Sequence, residues 1–337
     1  MPSMNKEITR VAIVRLSALG DIVNSAIVLQ FMKKHYPQME IEWITEEVFA
    51  PLLIGIPYLN KVHTINLKEL KKRKSFSLLK ETIKKLSALD NFDLIIDMQG
   101  LIKSAIVSKI IGKNTHGFDK NSIRESLAAL FYKTTSSISY ETSVVSRNCY
   151  VVADALGIII SDEMILNKEP IFPITTSFNL RSDMKNIALV IGASWESKIY
   201  PKELVAKLCD ALQEQCYIIW GSEKEREDAE WITQNSKYAT LAPQLDLTEL
   251  VSFISSVDLL IGNDTGPTHM AWAQNIPSIT LFGPTTTRMM FETPKNIGIK
   301  SPSTVNILKI DKNDFSIREI EPATIATRAK ELLYNGL

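Results

Sequence analysis

Cysteine and histidine are scarce in this chain, with three of the first and four of the second among 337 residues. Cys149, Cys209 and Cys216 show none of the close paired spacings of a zinc site or a redox motif. They read as reduced, packed thiols, which points to a cytosolic setting and away from disulfide-stapled secreted domains. No two histidines stand at ligand spacing and no Asp-x-Asp pair occurs, so no built-in metal site is expected. Long hydrophobic runs are missing as well. The first apolar run, Val11–Val14, is too short for a secretory leader, and no run approaches the about 18 apolar residues that a spanning helix needs. Membrane contact is therefore expected to be peripheral. Basic and acidic residues cancel at 38 each, which gives no sign of a nucleic-acid partner. A dinucleotide fingerprint is absent too: the turn Arg15-Leu-Ser-Ala-Leu-Gly-Asp21 carries one glycine where G-x-G-x-x-G needs three, which disfavours dehydrogenase chemistry.

What is present is a globular composition, 45% hydrophobic and 23% charged, without repeats or low-complexity tracts. The length suits two domains of roughly 150 to 170 residues. Apolar runs at Val11–Leu16, Ile41–Ile44, Val62–Ile65 and Leu94–Met98 predict strands, separated by helical periodicity at Ile22–His35, Phe76–Leu89 and Leu101–Ile111. After a polar stretch, Ser161–Asn179, containing Pro170 and Pro173, the pattern restarts. It predicts strands at Ile187–Ile191, Tyr217–Trp220, Leu259–Ile261 and Ile279–Phe282, and helices at Lys202–Gln213, Glu223–Gln234 and from Thr265. Such alternation implies an α/β chain of two Rossmann-like domains, doubly wound and facing one another across a cleft. The expected limits are 1–165 and 180–315, with a helix in 316–337 packing back towards the first domain.

The stretch Gly262-Asn-Asp-Thr-Gly-Pro-Thr-His-Met-Ala-Trp-Ala-Gln274 is the most informative. A strand runs into a Gly-bounded turn and a helix begins. Asp264 and Thr265 stand where a helix cap would stand, and such a terminus also favours an anion, most often a phosphate. Gly266 would let ligand atoms approach the first free N–H groups, and His269 falls in the first turn. Plain capping and a packed histidine are the alternative uses. A second turn, Gly283-Pro-Thr285, ends the next strand at the edge where parallel sheets hold ligands, and this favours a site.

Further candidates occupy equivalent turns. Asp21 begins the helix after the first strand, as a cap or as a general base. In Asp97-Met-Gln-Gly-Leu-Ile-Lys-Ser104, the residues Gln99, Gly100 and Lys103 would face the same cleft. Arg124 stands at a helix start after His116-Gly-Phe-Asp119, where a cation answers to an anion or pairs with Asp119 or Glu125. Ser194 and Lys198 suit a diphosphate. Glu223, after Trp220-Gly-Ser, stands where an acid binds ribose or merely opens a helix. Between Lys61 and Lys113 there are twelve Lys and Arg against five Asp and Glu, centred on Lys71, Lys72, Arg73 and Lys74: a solvated helix face or a surface for an anionic partner.

Together these segments resemble the ADP-heptose:lipopolysaccharide heptosyltransferases. Asp264-Thr-Gly-x-x-His269 marks the wider family, while Asp97-Met-Gln-Gly-Leu-Ile-Lys-Ser-Ala105 and the stretch from His116-Gly-Phe-Asp119 to Arg124-Glu125 resemble its type I branch, which adds the first heptose to Kdo-modified lipid A. The resemblance implies a GT-B architecture, with an acceptor domain followed by a donor domain. It implies inverting, metal-independent transfer from ADP-heptose to Kdo-lipid A, with no cofactor, at the cytoplasmic face of the inner membrane. Asp21 matches the family's proposed base; Lys198, Thr265 and Gly266 match residues at the donor phosphates. Ser194, Glu223, Asp264 and His269 match other donor-site positions, Glu223 across a small gap. Gln99, Gly100, Lys103, Arg124 and Lys71 to Lys74 fall to the acceptor. A heptosyltransferase II acting on heptosylated core, a nucleotide-sugar epimerase or a non-catalytic sugar-nucleotide sensor would hold a similar donor.

Overall fold

Short β-branched runs bounded by turns become the strands of two parallel sheets in the computed structural model, which describes residues 8–73, 75–89 and 91–334. The chain divides into two units, Met1–Lys168 and Glu169–Leu337. The first holds β1 (Arg10–Val14), β2 (Glu40–Glu46), β3 (Lys61–Ile65), β4 (Leu94–Asp97), β5 (Thr115–Phe118) and β6 (Thr134–Ser136), in spatial order β3-β2-β1-β4-β5-β6. Every pair in the sheet is parallel, with Val11 opposite both Ile41 and Leu94. Val11 to Val14 are fully buried, as expected of a central strand covered on both faces.

The helices of this unit are α1 (Leu19–Ala26), α2 (Val28–His35), α3 (Ala50–Leu53), α4 (Leu67–Arg73), α5 (Phe76–Ser87), α6 (Ile102–Ile111), α7 (Val144–Leu156) and α8 (Asp162–Leu166). One layer is formed by α5, α6 and a 3-10 turn at Ser126–Phe131; another by α1, α2 and α7. The single helix expected over Ile22–His35 is two, with the break at Ile27. Ser25 Oγ donates back to Asp21 O at 2.7 Å just before the break, a bond of the kind that bends helices.

The second unit repeats the plan with β7 (Asn186–Val190), β8 (Gln215–Ile219), β9 (Ala239–Leu241), β10 (Leu259–Asn263), β11 (Ser278–Phe282) and β12 (Asn296–Lys300), ordered β12-β11-β10-β7-β8-β9 and parallel throughout. Its helices are α9 (Lys202–Leu212), α10 (Glu223–Asn235), α11 (Leu247–Ile254), α12 (Gly266–Ala273) and α13 (Pro322–Tyr334). Ile187, Leu189, Leu208, Ile218, Ile261 and Ile325 belong to one buried core. The closing helix, α13, packs along α9, where Ile325, Ala326 and Ala329 form an apolar stripe that this core takes up.

The stretch expected to be a linker is partly structural. Ser161 Oγ caps α8, accepting from Met164 N at 3.2 Å, and the division falls after Lys168. Ile171 and Phe172 are buried, and both backbone N–H groups donate to Gln274 Oε1, at 3.1 and 2.9 Å. The Gln274 amide returns a bond to Phe172 O at 3.0 Å. Gln274→Ala would leave three buried backbone groups without their partner. It should lower stability by about 2–4 kcal/mol, read as a fall in the thermal midpoint; an unchanged midpoint would show that this segment does not depend on the clamp.

Candidate functional site

In a doubly wound sheet, ligands bind at the carboxyl ends of strands where the order reverses. That point lies between β1 and β4 in the first sheet and between β7 and β10 in the second. Asp21 follows β1 and Gln99 follows β4; Lys198 follows β7 and Asp264 follows β10. The strongest sequence candidates therefore gather at the two reversal points.

At the first, Asp21 is the third residue of α1 and its side chain is 28% exposed. Arg15 Nη2 pairs with Asp21 Oδ1 at 2.7 Å, and Ala18 N donates to Oδ2 at 3.2 Å, so the carboxylate closes the start of its own helix. Arg15 is buried at the end of the strand and also donates to Met98 O, which ties the β1 loop to the β4 loop. Gln99 reinforces the tie: Leu16 N donates to its Oε1 at 2.8 Å and its Nε2 reaches Ser17 Oγ at 3.4 Å. Lys103 Nζ donates to the same hydroxyl at 3.1 Å. Gly100 has φ +67, and a Cβ there would lie 2.5 Å from Ile123, so only glycine turns this corner. The loop is pinned from below by Asp97, which accepts from Gln99 N at 2.8 Å, Gly100 N at 3.2 Å and Tyr132 OH at 2.8 Å. Complete burial pushes the Asp97 carboxyl up despite these bonds.

At the second, Asp264 is buried and caps nothing. Its Oδ2 accepts from Lys198 Nζ and Thr285 Oγ1, both at 2.8 Å, and its Oδ1 lies 3.0 Å from His269 Nε2. Burial alone would raise this carboxyl; the Lys198 charge, with His269, overrides it and holds Asp264 well below the ordinary carboxylate range. Lys198 and His269 are themselves buried. Thr265 is the N-cap residue of α12 but makes no side-chain cap bond, and its Oγ1 is buried without a hydrogen-bond partner. Asn263 fastens the loops around it, accepting from Tyr200 N at 3.2 Å and donating to Ile191 O at 2.9 Å. Beside this network, the loops after β7 and β8 enclose a cavity of about 670 Å³, lined by Ser194, Trp195, Lys202, Lys224, Glu225 and Arg318 among others. That volume is within the range of small-ligand pockets.

Other candidates stand apart. The Glu223 side chain is 71% exposed and pairs with Arg226. Two residues on, Glu225 faces the cavity: its Oε2 accepts from Gly221 N at 2.7 Å, and its carboxylate occupies the space a Cβ on Gly192 would need. Arg124 is exposed in the bend before the 3-10 turn, and neither acid considered as its partner holds it. Asp119 accepts from Ser122, and Glu125 caps α6 by accepting from Ile102 N at 2.7 Å. Lys71, Lys72 and Arg73 end α4 in exposed positions, with Arg73 paired to Glu69, whereas Lys74 lies outside the described residues. His116, from the quoted motif, is a buried strand residue held between Thr134 Oγ1 and Ser136 Oγ, at 2.8 and 2.7 Å. Among the described residues, no three of His, Cys, Asp and Glu gather where a metal ion would be held.

The model of glycosyltransferase family 9 (heptosyltransferase) matches residues 80–312. The lipopolysaccharide heptosyltransferase 1 of Campylobacter coli is 38% identical, over 96% of this chain and 98% of that protein. The enzyme of the same description from Escherichia coli strain K12 is 27% identical, over 82% of this chain and 88% of its own length. Among solved structures, E. coli heptosyltransferase WaaC with ADP-2-deoxy-2-fluoro heptose superposes with a TM-score of 0.78 at 23% identity, covering 96% of this chain and 99% of that one. E. coli ADP-heptose lps heptosyltransferase II gives 0.71 at 20% identity, over 97% and 99% of the two chains.

Removing Lys198 leaves a buried carboxylate without its cation, so Lys198→Ala should lose about 3–5 kcal/mol at neutral pH. Because the native pKa of Asp264 is depressed below 3.8, its contribution is full well above that value and fades as the pH falls through it and below. In the variant, burial unopposed by the cation favours the protonated acid, so the deficit should shrink below about pH 4. Thermal unfolding of both proteins at neutral and acid pH checks this; a deficit of constant size would mean that ionisation of Asp264 does not contribute to stability.

Proposed function

The chain belongs to glycosyltransferase family 9, the heptosyltransferases, with the GT-B fold of its solved relatives, and we propose that it transfers L-glycero-D-manno-heptose from ADP-heptose to the Kdo residue of Kdo-lipid A. It is a glycosyltransferase of lipopolysaccharide biosynthesis. The observation that carries the finer reading is the unlike equipment of the two strand-reversal points: a partly exposed carboxylate at one, and a lysine beside a helix N-terminus at the other. The identity with a heptosyltransferase 1 over nearly the whole chain supports this acceptor over heptosylated core.

In this reading an acceptor hydroxyl attacks the anomeric carbon from the side opposite ADP. The new C–O bond forms as the bond to the diphosphate breaks, and the configuration inverts. Asp21 takes the hydroxyl proton, and Arg15, bonded to its other face through Oδ1, fixes the carboxylate's direction. Lys198 has three N–H donors, of which Asp264 engages one, leaving the ammonium able to meet the leaving diphosphate. The first N–H groups of α12 and the Thr265 hydroxyl add to this charge stabilisation. Together they do the work that a divalent ion does in other glycosyltransferases, so transfer needs no metal. Ser194 lies at the cavity with Glu225, which is better directed than Glu223 to accept from ribose hydroxyls. Gln99, Gly100, Lys103 and Arg124 meet the acceptor, and the basic end of α4 meets its phosphates. No helix among the described residues is long and apolar enough to cross a membrane, and we place the enzyme peripherally at the cytoplasmic face of the inner membrane.

Asp21→Asn should lower kcat by about 10²–10⁴-fold while ADP-heptose affinity, measured by calorimetry, stays close to that of the parent. Wild-type turnover in this variant would remove Asp21 from the role of base. Activity should also persist in EDTA; strict dependence on added magnesium would count against a charge stabilisation supplied by Lys198 and α12.

A further inference from the structure

A surface helix ordinarily carries one apolar stripe, turned to the core. In α5 that stripe ends in Leu86, which is buried in the core beneath β1 and β4 and is joined there by Leu89 just beyond the helix. A second set, Phe76, Leu79 and Ile83, repeats at i, i+3 and i+7 and is 80%, 44% and 40% exposed. Lys80 and Lys84, each one residue further along, are exposed beside it. Isolated surface apolar residues mean little, but these continue onto neighbouring elements. The adjoining α6 exposes Ile106, and the 3-10 turn packed against α6 exposes Leu127 at 61% and Leu130 at 80%.

We infer that the layer of α5, α6 and the 3-10 turn is a bilayer-docking face, with Phe76, Leu79 and Ile83 entering the lipid and the adjoining lysines meeting anionic headgroups. Charge selects this occupant over a protein partner: the exposed basic end of α4 precedes Phe76, and Lys80 and Lys84 are exposed beside the apolar strip. Apolar area with a cationic border is what an anionic leaflet holds at its interface. Topology gives the orientation. Because α5 is part of the crossover from the end of β3 to the start of β4, Phe76 lies towards the carboxyl edge of the sheet, the edge that also carries Asp21. Docking there would bring that edge to a lipid-borne hydroxyl, and to that extent the inference rests on the proposed acceptor.

The test uses the full chain and acceptor-free vesicles of phosphatidylethanolamine with or without phosphatidylglycerol. Wild-type protein should sediment with the anionic vesicles, and the Phe76→Ser, Leu79→Ser, Ile83→Ser triple variant should partition on the order of tenfold or more less well. The difference should persist in high salt, which screens the headgroup attraction but not the apolar contact. Independently, Phe76→Trp should gain emission that shifts blue on vesicles and is quenched by brominated acyl chains. Both variants should turn over a water-soluble, deacylated Kdo acceptor at the parental rate. Unchanged vesicle binding by the triple variant, or a tryptophan at 76 untouched by brominated lipid, overturns the docking face. If wild-type protein fails on every Kdo acceptor, the acceptor reading falls, while the vesicle results still decide the docking face.

Discussion

An ionised carboxylate enclosed by protein is costly unless matched by a cation, and in this chain the match of Asp264 with Lys198 organises the loops at the carboxyl edge of the second sheet. The pair joins the loop after β7 to the loop after β10. Thr285 brings in the turn after β11, and His269 brings in the first turn of α12. Three segments distant in sequence are thereby held around one carboxyl group. The N-terminus of α12 has no side-chain cap, because its N-cap residue, Thr265, makes no such bond. Its free N–H groups, the Thr265 hydroxyl and the remaining Lys198 donors are the groups a diphosphate would meet.

The first unit applies the same topology to a different end. At its reversal point the acid is Asp21, which is partly exposed rather than enclosed, and its partner Arg15 is the buried member of the pair. An Arg–carboxylate contact restricts direction while the carboxylate stays partly exposed, as would suit a group that takes a proton from an incoming hydroxyl. Asp97, completely buried beneath the neighbouring loop, serves as a hydrogen-bond anchor for Gln99 and Gly100. The two aspartates thus differ both in burial and in partner, Asp21 holding a cation and Asp97 backbone N–H groups and Tyr132. The membrane inference adds an orientation to this unit, since its apolar and basic side chains lie on a layer bordering the same sheet edge.

Several residues that build these sites gave little sequence signal. Arg15 looks like the last residue of an apolar strand, yet an arginine in such a run, six residues before an acid in a Gly-Asp turn, is a cue for a buried ion pair. Asn263 stood inside the most informative motif but read as a turn residue, and only the fold shows it fastening Ile191 and Tyr200. Glu223 and Glu225 both follow the strand end in the first turn of α10, and nothing in their local sequence tells them apart. One turn of helix directs Glu223 to solvent and Glu225 over Gly192. The short strands β5, β6, β9 and β12 carry polar or glycine-containing sequences and lack the apolar runs by which the central strands are recognised.

The alternation of apolar runs and amphipathic helices determined by itself that the chain is doubly wound α/β in two halves, since covering both faces of a parallel sheet demands that order. Sequence likewise marked Asp21, Lys198, Asp264, Thr265 and His269, because ligands meet parallel sheets at the turns after strands and those turns carried the polar residues. Tertiary structure alone decided which of these touch. The Lys198–Asp264 pair spans 66 positions and the bond from Leu16 to Gln99 spans 83. Such contacts depend on the order of strands across the sheet, which local periodicity does not encode. Tertiary structure also left Arg124 apart from Asp119 and Glu125, and it packed α13 along α9. A stripe of apolar residues specifies that a helix must be covered, but the neighbour that covers it is set by the shape of the assembled core.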